Sequence, residues 1–193
     1  MKKIIALLLV AVMALGLVAC GTTNTDEGNK ETTGAKVEAP ASALEVLENI
    51  WALYGEDEKF FAMGGFKLDT EGVPVTVDGA PGVVEDNDYL NYTLLVPAEQ
   101  TVTEAASLMH AMNANTFTCG AYKVADVQAF ASAMQTAIQG NQWMCGFPER
   151  LLIANVGGIV VVAFGHTDAM TPFQTHLEAA YAGAELLVNE AIG

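Results

Sequence analysis

From Ile4 to Ala19 the chain is one apolar run closed by Cys20, and this run decides which residues are left to build a globular fold. Met1-Lys2-Lys3 places two positive charges in front of it. A spanning helix wants about 20 apolar residues. A charged start, a shorter apolar centre and a small-residue end describe a secretory signal instead. The folded part must therefore come from the residues beyond Cys20, outside the cytoplasm.

The run ends in Leu17-Val18-Ala19-Cys20, which resembles the lipobox of bacterial lipoproteins over residues 1 to about 21. In that family the signal is cut just before the cysteine, whose sulfur carries a diacylglycerol. The resemblance implies that residues 1–19 are a signal peptide and that Cys20 is the lipidated first residue of the mature chain. It also implies that the membrane is a partner through that anchor. Each buried methylene contributes about 0.8 kcal/mol, so two acyl chains hold stably where one is marginal. Gly21 follows the cysteine, so the aspartate that signals inner-membrane retention is absent.

Removing residues 1–19 takes away two lysines and no acid, leaving 6 Lys+Arg against 23 Asp+Glu and a formal charge of −17. Such a surface repels nucleic acid phosphates, which excludes nucleic acid as partner. Of the 23 acids, 17 lie between Asp26 and Glu104 and 6 beyond, so the second half is apolar enough to form a core. Residues 20–41 hold almost no large apolar side chain. They predict a flexible stalk behind Cys20, with a reach of about 25 Å. Residues 42–193 then form a single domain.

Ser42 and Glu45 make a capping box, and Ala43, Leu47, Ile50, Trp51 and Tyr54 follow at helical spacing. Val73, Val75 and Val77 alternate before the turn at Asp78-Gly79, which predicts a short strand. Glu85-Asp86-Asn87-Asp88 is a solvated acidic loop without the spacing of a calcium loop. Leu90, Tyr92, Leu94 and Val96 predict a strand, and a second capping box at Thr101–Glu104 predicts a helix to about Asn113. A strand at 117–124 and a helix capped by Asp126 and stopped by Gly140 come next. Two apolar strands, 151–156 and 159–164, are joined by Gly157-Gly158, and a helix starting at Thr171-Pro172 closes the chain.

The expected fold is α+β: a two-layer domain with helices on a small mixed sheet of about four strands, in the order β-α-β-α-β-β-α after an N-terminal helix. The segments around Met109-His110, Trp143 to Glu149 and the 151–164 hairpin resemble small lipoproteins of Gram-positive gut anaerobes that carry a domain of unknown function. That likeness covers residues 89–190 and implies the architecture alone.

For chemistry, Cys119 and Cys145 remain once Cys20 is lipidated. They either form a disulfide closing a 27-residue loop, adding about 3 kcal/mol in the chain-entropy model, or stay reduced as small buried hydrophobes. A reactive thiolate needs a basic partner, and only Lys123 and Arg150 stand near as fixed cations. His110, His166 and His176 complete the candidates, but no Cys-x-x-Cys or His-Glu-x-x-His pairing enforces a metal site. Glu149 alone among the acids lies between apolar segments, as a surface ion pair with Arg150. Nucleophile-elbow, phosphate-loop and dinucleotide motifs are absent. Trp143, Phe147 and Pro148 form one aromatic loop, a candidate binding surface or a plug of the core.

Together these residues point to a membrane-anchored lipoprotein facing outside the cytoplasm. Its domain is expected to bind an envelope protein or a small ligand, with no cofactor and no catalysis. The alternative is a thiol- or metal-dependent envelope enzyme using Cys119, Cys145 and a histidine.

Overall fold

A computed structural model of the chain describes residues 39–193; the signal peptide, Cys20 and nearly all of the stalk lie outside the described residues. The elements run α1 (Ala43–Trp51), β1 (Ala62–Leu68), β2 (Pro74–Asp78), β3 (Gly82–Val83), α2 (Asn87–Tyr92), β4 (Val102–His110), β5 (Phe117–Val124), α3 (Val127–Gln139), β6 (Arg150–Val156), β7 (Ile159–Gly165), α4 (Thr167–Ala180) and β8 (Glu185–Ala191). The strands form one sheet in the order β2-β1-β4-β5-β7-β6-β8, with β3 also paired to β4. Every pairing between these strands is antiparallel.

This corrects the expected fold in two respects. The sheet has eight strands rather than about four, and it is antiparallel rather than mixed. It is also covered on both faces, so the domain has three layers. One face packs Leu108, Phe117, Cys119, Leu152, Val161 and Ala163 against α1 and α4. The other packs Tyr122, Leu151, Ile153, Val160 and Val162 against Phe130, Met134 and Ile138 of α3.

Two-sided burial explains where the sequence pattern misleads. Residues 101–113, expected to be a helix, contain β4, whose Ala105 to Met109 are buried without a break. A strand covered on both faces shows no polar alternation. Glu104, assigned to a capping box of its own segment, instead accepts the backbone N–H of Ala43 at 2.6 Å and so caps α1. The reverse error falls on residues 89–96. The Asp86 carboxylate accepts from Tyr89 N at 2.7 Å, which starts α2, and Leu90 and Leu94 are buried one turn apart while Tyr92 is exposed.

The closing segment also divides. The helix begins four residues earlier than Thr171, contains Pro172, and ends at Ala180; Leu187 and Val188 belong to the edge strand β8. The β6–β7 hairpin turns at Gly157 and Gly158, both with positive φ, and α3 is capped by Asp126 and closed at Gly140. A Cβ on Gly157 would sit 2.8 Å from Pro40 and 2.9 Å from Ala39. The described chain therefore enters beside this turn, at the β6–β7 hairpin end of the sheet.

Candidate functional site

At the opposite end of the sheet lie the start of β1, the end of β4, the starts of β5 and β6 and the end of β7. Two loops there are locked to each other. Asn113 Nδ2 donates to the Cys145 carbonyl at 3.2 Å, and Asn115 Nδ2 donates to the carbonyls of Met144 at 2.8 Å and Gly146 at 3.0 Å. His110 Nδ1 accepts from the backbone N–H groups of Met112 and Asn113, at 3.2 and 3.3 Å, and tightens the same turn. The loop 141–149 bends through Cys145 and Gly146, both at positive φ. Held this way, it presents Met144 and Phe147 to solvent, 80% and 71% exposed, beside Met112 at 77%. Phe61 and Tyr92 are exposed nearby, since Phe61 O accepts from Ala111 N and Tyr92 lines a cavity with Trp143 and Met144.

The aromatic loop read from the sequence thus separates into two roles. Trp143 is half-buried, its ring 5.3 Å from that of Phe164, and anchors the loop to the α3 face. Phe147 is displayed. The asparagines that set the loop's shape carry no pattern that sequence reasoning reads as a site.

Across the sheet at the same end is a cleft of about 260 Å³ lined by Tyr54, Glu58, Phe60, His110, Thr116 and Asp168. Its floor is aromatic. Phe60 lies 5.1 Å from Phe117, centroid to centroid, and stacks on the His110 imidazole at 5.7 Å and 16°. Because His110 Nδ1 accepts two backbone N–H groups, its lone pair is there and the neutral ring carries its proton on Nε2. The Tyr54 ring lies 4.4 Å from that of His176, centroid to centroid and tilted by 48°, and His176 Nε2 stands 3.4 Å from Glu58 Oε2. Burial first, then the neighbouring Cys119 and Glu58, push the Tyr54 phenol well above its ordinary range. It stays a neutral hydroxyl.

His166 occupies the N-cap position of α4 and makes no side-chain cap bond. That work falls to Glu149, which accepts the Thr167 N–H at 2.9 Å. Hydrogen bonds from the Thr167 side chain and amide, and after them the charge of His166, hold the Glu149 carboxyl below the usual carboxylate range. The expected ion pair with Arg150 is not formed. Arg150 donates to Asn189 at 2.7 Å and Gln174 at 3.0 Å, tying β6 to β8 and α4.

The structure does not bring the two cysteines together. Both are free: Cys119 is fully buried under α1 and α4, and Cys145 is exposed on the locked loop. Burial raises the Cys119 thiol well above its ordinary pKa, so it is a poor nucleophile and packs as a small hydrophobe. Among the described residues no three His, Cys, Asp or Glu side chains gather as a metal would require, and no helix is long and apolar enough to cross a membrane. Compared with protein-family models, curated proteins and solved structures, the chain matches none.

Proposed function

We propose that the chain is a lipoprotein held on the outer side of the cell membrane through Cys20, and that its domain is a non-catalytic module binding an envelope protein at the loop end of the sheet. One observation carries the binding surface. Three large apolar side chains, Met112, Met144 and Phe147, are held in solvent by loops that asparagine amides lock to each other. Single exposed apolar residues are ordinary on a surface, whereas a contiguous group on a fixed scaffold marks an interaction site. Fixing the loops in advance lowers the entropy lost on binding. The described chain enters at the other end of the sheet, away from this surface.

The test is photo-crosslinking in intact cells, with a photoreactive phenylalanine at position 147 and a control at Thr103, beside the chain's entry. The expected result is a discrete protein adduct at 147 that fades when Met112 and Met144 are changed to serine. Identical adducts from both positions, or none from 147, contradict the reading.

A further inference from the structure

On the α3 face, between the segment after α2 and the loop before β6, lies a cleft of about 270 Å³. At its base Thr118 and Phe164 are paired across β5 and β7, in the middle of the sheet. Tyr92, Thr93 and Leu95 line it from one segment, and Asn141, Gln142 and Trp143 from the other. Among the described residues no charged side chain lines it, in a chain of formal charge −15. Aromatic surface stands there beside uncommitted polar groups. The Tyr92 ring is 81% exposed, and the Trp143 ring is fixed 5.3 Å from that of Phe164. Asn115 gives its Nδ2 to the carbonyls of Met144 and Gly146. Among the described residues nothing hydrogen-bonds the side chains of Thr93, Asn141 or Gln142, all of which reach solvent. The backbone supplies a second observation. Leu95 stands at φ 59°, in the left-handed region where a helix end usually has glycine or asparagine. A leucine is strained there, and such strain persists where the side chain has a use. This one lines the cleft.

We infer that this cleft binds one ring of a neutral saccharide, with the ring's C–H face on Tyr92 and its adjacent hydroxyls on the amides of Asn141 and Gln142. A side-chain amide holds a donor and an acceptor side by side, and a hydroxyl is both, so two neighbouring hydroxyls match one amide. The C–H face supplies the apolar surface that an exposed aromatic ring covers. No charge partner is needed. The volume lies below the roughly 300–1,000 Å³ of pockets for drug-sized ligands, which suits a single ring. An extended peptide is the poorer match, because peptides join sheets at unpaired edges. Here the edges are β2 and β8, whereas the cleft stands over β5 and β7. Met112 and Phe147 do not line it, so the inference does not rest on the protein-binding proposal.

The probes are the methyl glycosides of glucose, galactose, mannose and N-acetylglucosamine. Each is titrated into the full chain, in a zwitterionic detergent without a sugar head group, while the indole N–H NMR signals of Trp143 and Trp51 are followed. Trp51 packs on the opposite face of the sheet and serves as the internal reference. Sorbitol, which has the hydroxyls without the ring, is the control. The expected result is a saturable shift of the Trp143 signal with at least one glycoside, with Trp51 stationary and no shift from sorbitol. Tyr92→Ala should weaken binding about tenfold, and the double variant Asn141→Ala, Gln142→Ala by a similar factor. Tyr92 and Gln142 are exposed and Asn141 is half-buried, so both variants keep the fold. No saturable shift with any glycoside to about 50 mM, an equal shift with sorbitol, or unchanged affinity in either variant would overturn the inference. A failed crosslink at position 147 bears on the protein-binding proposal alone.

Discussion

Tyr54 shows how one atom can weigh against the packing around it. Its ring is packed between Trp51, Phe60 and His176, while its hydroxyl has no partner among the described residues. A phenylalanine keeps the packing and removes the unsatisfied group. In the ligand-free protein Tyr54→Phe should therefore raise stability by about 1 kcal/mol, a midpoint increase of roughly 2–4 °C for a domain of this size. Calorimetry without added ligand checks this, and a lower midpoint would show that the hydroxyl is already satisfied. Tyr54 enters the sequence only as the last apolar residue of a helical stripe, which is why its place in a cleft is not legible there. Phe60, His110 and Asp168 come from three other segments, and only the sheet brings them within one wall. Phe147 is different: an aromatic loop between a helix and a strand is visible in the chain itself, and Phe147 is exposed there.

The elements that could be read directly are those whose local signals agree with their packing. Helix α3 has its aspartate cap, its apolar stripe and its terminal glycine, and the β6–β7 hairpin has two β-branched runs joined by Gly157-Gly158. Strand β4 could not be read this way, because burial on both faces erased the alternation that marks a strand. Glu104 and Glu149 show a related difficulty: each caps a helix from a distant segment, so neither cap has a sequence signature. Glu149 makes a pH prediction. A carboxyl with a depressed folded pKa stabilises above its unfolded pKa and loses that contribution as pH falls through the folded value. Glu149→Gln should therefore melt below the wild type at pH 7, with the gap closing below about pH 4. Thermal melts between pH 7 and 3 measure it; a gap independent of pH would mean that the charge is not what holds the start of α4.

At the scale of the whole molecule, the acidic composition agrees with the proposed location outside the cytoplasm. The folded domain keeps its acids at the surface and builds its core from the sheet's central strands, every residue of β7 being buried. The shortfall in expected strands traces to residues 101–113 and 185–191, read as helix, and to residues 56–88, where Gly64 and Gly65 interrupt any apolar pattern. Glycine is required there, since a Cβ on Gly64 would collide with the carbonyls of Ala80 and Ser107. In the proposed reading, function at this scale rests on the tether, because a lipid on Cys20 would fix which side of a membrane the loops can meet. The most direct measurement is mass spectrometry of the chain extracted from membranes, read at its N-terminal peptide. The account predicts a mature chain beginning at Cys20 and carrying diacylglycerol, and loss of that mass from the membrane fraction in Cys20→Ser. A chain still beginning at Met1, or cut with Cys20 unmodified, would contradict it.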